Sequence, residues 1–252
     1  MTNPPVSQYL FISDLHLGQG DREKDQRRMD DFIAWLRTCV TPGTHLVLVG
    51  DCFEFWFDYR EAIPSRHFKV LATLRELRDQ GIPITFFAGN HDYWLGPWLE
   101  RELGVQFASD DLTMDLAGQR VWVHHGDGLR SSERGYRLMK HVLRSPLCIW
   151  LFRWIHPDIG LRFGYRWSRE SNARSREIPH ITAEYETVAR NKFAEGYDVV
   201  ILGHTHRLDI RRLAEGTFIQ LGEWIDGRSY LRFNEQGFAL CAWDGKTQAD
   251  YT

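Results

Sequence analysis

The stretch VVILGHTHRLD, residues 199–209, gives the strongest local indication of the fold. Its first four residues, VVIL, are typical of a strand that is buried on both faces, as strands of parallel sheets are. Gly203 ends this apolar run, and His204 and His206 follow it directly. Open α/β sheets bind ligands beyond the carboxyl ends of such strands. The two histidines therefore indicate either a binding site or an ordinary polar turn, and the other strand ends distinguish these alternatives.

Four other apolar runs have the same form, since each ends in a small residue beside polar side chains that can bind a metal. They are YLFIS (9–13), HLVLVG (45–50), ITFFAG (84–89) and VWVHHG (121–126). The segments between the first three runs carry apolar residues at helical spacing. These residues are Met29, Phe32, Ile33 and Leu36 in the first segment and Phe68, Leu71, Leu74 and Leu77 in the second. The order is therefore β-α-β-α-β.

Short β-rich pieces follow the opening stretch, and they are separated by glycine and asparagine. They are TFIQLGEW (217–224), SYLRFN (229–234) and FALCAW (238–243). Their pattern predicts hairpins that close a second sheet. The fold class expected from the whole chain is therefore α/β, with two mixed sheets.

The bulk composition is that of a folded protein with a large core. The chain has 252 residues, of which 43% are hydrophobic and 26% charged, and the formal net charge is −3. This charge gives no general reason to expect a nucleic-acid partner. The four cysteines lack CxxC spacing, so reduced thiols are expected. No apolar run reaches the length of a membrane span, and the first residues do not resemble a signal peptide, so we expect an intracellular protein without a spanning helix.

Residues 128–179 do not follow the α/β rhythm and are expected to form a helical insertion, a cap on a core made of residues 1–127 and 180–252. Between Arg130 and Arg176 there are eleven Lys or Arg and three Asp or Glu, a local charge of +8. The run PLCIWLFRWI (146–155) is too short to cross a bilayer. It supplies either an apolar surface for lipid or a face that packs on the core.

The residues at the strand ends form one chemical pattern. Each residue also has a possible structural role. An aspartate can cap a helix, an asparagine can stabilise a turn, and His124 can be an inward-facing residue of a strand. Five strand ends nevertheless carry oxygen or imidazole ligands, which those alternatives explain only by coincidence. The candidate ligands are Asp14, His16, Asp51, Asn90, His125, His204 and His206.

The chemistry of these seven side chains favours a catalytic centre with two metal ions. A mixture of carboxylate, carboxamide and imidazole ligands without thiolate suits Mn²⁺, Fe²⁺ or Zn²⁺. Seven ligands exceed the need of one ion and suit two ions about 3.5–4 Å apart that share a carboxylate. Such sites activate a water for displacement at phosphorus, so the sequence predicts a phosphoester or phosphoanhydride hydrolase.

The ordered blocks DLH, GDCFEFW, GNHD, HGD and GHTH resemble the signature of the calcineurin-like metallophosphoesterase superfamily, from Asp14 to His206. This resemblance implies a four-layer α/β/β/α sandwich. It also implies that one metal is held by Asp14, His16, Asp51 and His206, and the other by Asp51, Asn90, His125 and His204.

Two residues beside the ligands are candidates for catalysis. His91 is expected at the leaving-group side, where it would protonate the leaving group or stabilise the transition state. Asp92 is expected to fix the orientation of His91. His124 is expected to be structural.

Further blocks resemble one subgroup, the UDP-2,3-diacylglucosamine hydrolases of lipid A synthesis. These blocks are FISDLHLG, GDCFEFW, HHGDGL, ILGHTHR and LGEWIDGRSY. The resemblance implies cleavage of the substrate to UMP and 2,3-diacylglucosamine 1-phosphate, Mn²⁺ as the metal, and a protein that rests on the inner face of the cytoplasmic membrane. It implies substrate contacts from Asn90, His91, His204 and, in the cap stretch RWSRESNARSR (166–176), from Ser168 and Asn172.

The chain departs from this subgroup at two positions. Ser175 stands where the subgroup often has lysine, so Arg174 or Arg176 would have to supply that charge. His91 stands where well-known members have arginine, although histidine is usual in the wider superfamily. Two alternatives therefore stay open: another phosphoesterase that acts on nucleotides, other diphosphates or phosphoproteins, and an inactive scaffold with this fold. The complete set of seven ligands argues against the scaffold.

Overall fold

The computed structural model describes residues 5–108, 110–175, 181–245 and 248–251, with side chains described outside 169–182 and 246–252. Its strands are β1 (Gln8–Ile12), β2 (Thr44–Val49), β3 (Ile84–Phe87), β4 (Gln106–Ala108), β5 (Asp111–Leu116), β6 (Gln119–His124), β7 (Val199–Leu202), β8 (Leu208–Arg212), β9 (Thr217–Leu221), β10 (Ser229–Asn234), β11 (Gly237–Trp243) and β12 (Gln248–Tyr251). Its α-helices are α1 (Arg22–Cys39), α2 (Phe68–Asp79), α3 (Arg134–Leu143), α4 (Pro146–Arg153), α5 (Pro157–Ser175) and α6 (Ile181–Ala194).

The strands form two mixed sheets, which confirms the predicted α/β architecture. The larger sheet has the order β12-β11-β10-β1-β2-β3-β4, and the smaller sheet has the order β5-β6-β7-β9-β8. Strands β1 to β4 are parallel, as are β6, β7 and β9. Apart from the edge strand β4, these parallel strands are largely buried, and this explains their continuous apolar runs.

Three apolar layers hold the two sheets and their helices together. The layer between the sheets joins Phe11 and Val47 of the larger sheet to Val123 and Ile201 of the smaller one. Helices α1 and α2 cover the outer face of the larger sheet. Helix α6 covers the smaller sheet with Tyr185 and other apolar residues. The layer order is therefore α/β/β/α, as the family resemblance implied, and it brings the carboxyl ends of the parallel strands to one edge.

The two predicted helices form, but one residue of the predicted apolar face is exposed. Leu71, Leu74 and Leu77 of α2 are buried, whereas 65% of the Phe68 surface is exposed. Phe68 is the first residue of α2. The buried position before it belongs to His67, whose ring contacts Phe53 in the core. The prediction therefore placed the start of the buried face of α2 one helical turn too early.

The expectation for the last β-rich pieces was partly wrong. Strands β10 and β11 form the predicted hairpin, but β10 pairs antiparallel with β1 and so extends the first sheet. Only β9 joins the second sheet, where it lies between β7 and β8. A period-2 pattern identifies a strand but not its partner, so the sequence could not assign these strands to a sheet.

Helices α3, α4 and α5 lie between β6 and α6 in the chain. Phe152 of α4 and Tyr165 of α5 contact an aromatic cluster that follows β2 and includes Phe55 and Phe57. In the part of the chain that the structure describes, no helix combines the length and apolar character needed to span a membrane.

Candidate metal centre

The loops that follow β1, β2, β3, β6 and β7 meet at one edge of the sandwich and carry all seven predicted ligands. Five ligands have left-handed backbone conformations, with φ between 46° and 64°: Asp14, His16, Asp51, His204 and His206. Such conformations cost on the order of 1–3 kcal/mol each in non-glycine residues and cluster at functional sites. The strain here bends the chain sharply out of each strand and points the ligands to a common centre.

The glycines beside the ligands make room for this convergence. At Gly89, a Cβ atom would lie 2.1 Å from Oδ1 of Asp51, which leaves no space for any side chain. Gly50 has a φ of 80°, and its Cβ would lie 2.5 Å from Nδ1 of His125. The small residues at the strand ends are therefore required by close approach of the ligands.

The ligand atoms form overlapping groups around Asp51. Nε2 of His16 lies 3.7 Å from Oδ2 of Asp51, and Nε2 of His125 lies 3.4 Å from the same oxygen. Two of the groups whose ligand atoms lie within 4.8 Å of one another are Asp14, His16 and His206, and Asp51, His125 and His204. Asn90 completes the second side, since its Oδ1 lies 3.3 Å from Nε2 of His125. Asp51 thus lies between two sets of ligands.

His91 lies directly beside Asp51, at the middle of the candidate ligands. Its Nε2 is 4.0 Å from Oδ2 of Asp51, and it forms a third compact group with His16 and Asp51. Its backbone N–H donates to Oδ1 of Asp51 at 2.8 Å. The structure therefore places His91 beside the carboxylate of Asp51.

These residues fit divalent metals by geometry and by charge. Oδ1 of Asp14 is buried without a hydrogen-bond partner, and it lies 3.4 Å from Nε2 of His206. A buried carboxylate oxygen without a partner is costly unless a cation completes it. The mixture of carboxylate, carboxamide and imidazole donors matches the preferences of Mn²⁺, Fe²⁺ and Zn²⁺.

In the metal-free protein, protons balance the charge of the buried carboxylates. Burial acts to raise the pKa of Asp14, but the neighbouring imidazoles of His16 and His206, whose Nε2 atoms lie 3.8 and 3.4 Å from Oδ1, outweigh it and hold this pKa well below its usual range. Burial acts to lower the pKa of His16, but Asp14 and Glu54 raise it to about 9. The pKa values of His125 and His206 are raised to about 10 because Asp51 and Asp14, respectively, outweigh burial. A bound cation has to displace these protons.

Two glutamates that the sequence did not identify lie within hydrogen-bond distance of Nδ1 of two ligand histidines. Nδ1 of His16 lies 2.9 Å from Oε2 of Glu54, and Nδ1 of His206 lies 2.6 Å from Oε2 of Glu223. Both glutamates stand inside blocks that carried the family resemblance, GDCFEFW and LGEW. Their spacing from the histidines, 38 and 17 residues, gives no sign of contact, so only the fold identifies their role.

The structure corrects the role expected for Asp92. Its carboxylate accepts the backbone N–H groups of Gly89, Asp51 and Phe53, at 2.7 to 3.3 Å. The ring of His91 instead makes its hydrogen bonds through Nδ1 to Ser168 Oγ and, at 3.3 Å, to the carbonyl oxygen of Glu54. Asp92 therefore orients the loops that carry the ligands, and the cap helix α5 orients His91.

Of the cap residues predicted to bind substrate, Ser168 is described and reaches the metal centre. It is buried, and its Oγ donates a hydrogen bond to Oε1 of Glu54 at 2.6 Å. Asn172 and Arg174 have side chains outside the described residues, and Arg176 also lies outside them. Helix α3 makes a further contact that was not predicted, because Lys140 and Tyr136 both bond to Asp127, each at 2.7 Å.

An apolar cavity opens directly beside the ligands. Asn90 and His91 are among the residues that line it. Its remaining wall is mainly aromatic and aliphatic and combines the loops after β2 and β3 with helices α3 and α5. This wall includes Phe55, Tyr93, Trp94, Met139, Leu143, Phe163 and Trp167. His124 lies outside this lining; burial lowers its pKa to about 4, and its Nδ1 accepts the Gly126 N–H, which fits a structural residue.

Comparison with known proteins assigns the family. The model of the calcineurin-like phosphoesterases matches residues 8–208. The chain belongs to the calcineurin-like phosphoesterase family. The predicted resemblance is thereby confirmed, and a catalytic centre that uses divalent metals follows from membership.

Relatives within the family are similar over nearly their whole length. The UDP-2,3-diacylglucosamine hydrolase of Porphyromonas gingivalis is 33% identical, over 96% of this chain and 95% of the relative. Those of Edwardsiella ictaluri and Pseudomonas fluorescens are 30% and 31% identical, over 92% and 93% of this chain and 90% and 95% of theirs. Among solved structures, the Escherichia coli phosphoesterase Yfce is 15% identical, with a TM-score of 0.47 over 97% of this chain and 98% of that one.

Proposed function

We propose that this protein hydrolyses the diphosphate of UDP-2,3-diacylglucosamine, which yields UMP and 2,3-diacylglucosamine 1-phosphate. The observation that carries this proposal is the apolar cavity beside the metal centre, since Asn90 and His91 of that centre are among its lining residues. A diacylated sugar diphosphate needs both features together, a polar centre for its phosphates and an apolar wall for its acyl chains. The relatives named above carry this activity in their names.

The ligands divide into two sites that share Asp51. Site A consists of Asp14, His16 and His206, and site B consists of Asn90, His125 and His204. We assign one divalent ion, Mn²⁺ by preference, to each site. When bound, the two ions supply Lewis-acid activation of a water and neutralise charge on the phosphoryl oxygens.

His91 is proposed to act on the leaving phosphate through Nε2. The proton of Ser168 Oγ is directed to Oε1 of Glu54, so Oγ is free to accept from Nδ1 of His91. This fixes the ring and leaves Nε2 facing Asp51. Burial lowers the pKa of His91, and the negative charge of a bound diphosphate favours its protonated form. The ring would then donate to the leaving oxygen.

The three cap helices, α3 to α5, are proposed to place the protein on the membrane surface that holds the substrate. They expose an unusual number of large apolar side chains: Leu138, Val142, Leu147, Trp150, Leu151, Trp154, Ile155, Ile159, Phe163 and Trp167. Exposed apolar groups among arginines suit the boundary between headgroups and acyl chains of an anionic membrane. Phe152 of α4 packs against the aromatic cluster of the core, and the exposed residues of this segment remain available for the proposed lipid contact.

The proposed activity is tested by ³¹P NMR of the purified protein with Mn²⁺ and UDP-2,3-diacylglucosamine. The expected result is replacement of the diphosphate signals by those of UMP and the lipid 1-phosphate. UDP-N-acetylglucosamine serves as a substrate without the two acyl chains and should react much more slowly. Equal rates on both substrates, or cleavage of UDP-N-acetylglucosamine alone, would contradict the assignment of the lipid substrate.

A further inference from the structure

The two metal sites differ in the groups that support their histidines. In site A, Nδ1 of His16 bonds to a carboxylate oxygen of Glu54 at 2.9 Å, and Nδ1 of His206 bonds to one of Glu223 at 2.6 Å. In site B, Nδ1 of His125 lies 2.8 Å from the backbone carbonyl oxygen of Val49. Site A is therefore supported by two charged acceptors, whereas the corresponding acceptor in site B is neutral.

With Nδ1 of each histidine bound to a glutamate, Nε2 of each ring points toward Asp14. Both histidines of site A turn Nε2 inward, where these two atoms are 3.3 Å apart and each lies within 3.8 Å of Oδ1 of Asp14. A carboxylate that accepts the Nδ1 proton fixes the ring and makes Nε2 more basic toward a metal. A carbonyl fixes the ring equally well but adds less negative charge.

One more carboxylate lies near site B, but its charge is already matched. Asp127 is buried, and its Oδ2 accepts from Lys140 Nζ and from Tyr136 Oη, each at 2.7 Å. The ammonium group of Lys140 neutralises it at contact distance. The difference between the two sites therefore persists when Asp127 is included.

From this asymmetry we infer that Glu54 and Glu223 are positioning residues that make site A the tighter metal site, so that the two ions bind in order, first at site A and then at site B. This inference rests on the proposed two-metal centre. It goes further because it ranks the sites and names the residues that set the rank. Loss of a group that supports a metal-ligating histidine typically weakens metal binding by about 10–100-fold.

The test is a Mn²⁺ titration of the metal-stripped full-length protein, with free Mn²⁺ followed by electron paramagnetic resonance. The wild type should bind two ions with dissociation constants at least about tenfold apart. Glu223→Gln should weaken the tighter event by about 10–100-fold and leave the weaker event nearly unchanged. Glu54→Gln should do the same. Glu54 is fully buried, whereas the side chain of Glu223 is 23% exposed. If Glu54→Gln does not fold, Glu223→Gln decides the test.

Two control variants show which Mn²⁺-binding event belongs to which site. Glu186→Gln removes a glutamate of α6 that pairs with Arg190 and Arg211, and both dissociation constants should stay at their wild-type values. His125→Ala should abolish the weaker event and leave the tighter one. Two equal affinities in the wild type, or a Glu223→Gln variant that weakens only the second event, would overturn the inference. Absence of lipid hydrolysis with ordered Mn²⁺ binding intact would instead contradict the proposed function alone.

Discussion

The metal edge of the sandwich and the three cap helices are built in opposite ways. At the metal edge, Asp14 and His16 have no exposed surface, and the strained backbone of five ligands is held by two packed sheets. On the cap, 77% of the Trp154 surface is exposed. The cap helices contact the core through the aromatic cluster around Phe55 and Phe57, through Ser168, and through the bonds of Tyr136 and Lys140 to Asp127.

This difference separates the reaction from the choice of substrate. A rigid frame is needed where ligand atoms must meet within a few ångströms, because misplaced ligands lose much of their catalytic effect. An exposed apolar surface has no such need, since burial of acyl chains is not directional. Changes at the metal edge, and at Ser168 of the cap, which contacts His91 and Glu54, should therefore affect every substrate. Changes on the exposed apolar surface of the cap should affect only lipid substrates and membranes.

The largest effect is expected at the shared ligand. Asp51→Ala should lower hydrolysis of any phosphoester by more than about 10²-fold, beyond the typical loss for groups that only hydrogen-bond to a ligand. It should also lower the Mn²⁺ content, because both sites use this carboxylate. Steady-state rates and metal analysis of the purified variant check this, and a variant that kept two ions would contradict the role of Asp51.

A large effect is also expected for His91, but without loss of metal. His91→Gln should lower turnover by about 10²-fold, because a positioned proton donor is lost. The Mn²⁺ content should stay near two ions. Since His91 forms a compact group with His16 and Asp51, metal analysis is the decisive measurement. Loss of an ion would make His91 a ligand and remove the role proposed for it.

The affinity for Mn²⁺ should rise steeply with pH. The raised pKa values of His16, His125 and His206, about 9, 10 and 10, mean that these rings carry protons at pH 7 without metal. Metal binding releases these protons, so affinity is low below pH 7 and increases until the pH exceeds these values. Each released proton contributes about tenfold per pH unit. Titrations between pH 6 and 8 that gave a constant affinity would show that the metal-free rings are neutral.

The smallest effect is expected on the cap surface. Trp154→Ser should weaken binding to vesicles that contain anionic phospholipid by up to about tenfold, because an exposed apolar group is removed from the lipid contact. Hydrolysis of a small water-soluble phosphodiester should not change. Phe68→Ser is the matched control, since Phe68 is similarly exposed but lies on α2 of the core. Equal loss in both variants would indicate nonspecific adsorption.

The two regions also differ in how far the sequence could predict them. Each ligand at the metal edge follows an apolar run, so the end of the strand locates it without knowledge of the fold. Glu54 lies 38 residues from His16 in the sequence, and Glu223 lies 17 residues from His206. These contacts form only because the fold brings distant loops together, and the sequence pattern does not show which loops meet. For the same reason, β10 was expected in the wrong sheet. On the cap, composition predicted an apolar and basic surface but not which residues of α4 would pack against the core.

The separation of chemistry from substrate choice is tested most directly at the cavity wall. Phe163 lines the cavity from α5 and is 56% exposed, so Phe163→Ala should fold normally. We would measure kcat/KM of this variant for UDP-2,3-diacylglucosamine and for bis(4-nitrophenyl) phosphate. The account predicts a loss of about tenfold or more for the lipid and an unchanged value for the small phosphodiester. Equal losses for both substrates would contradict it, because the apolar wall of the cavity would then take part in the reaction itself.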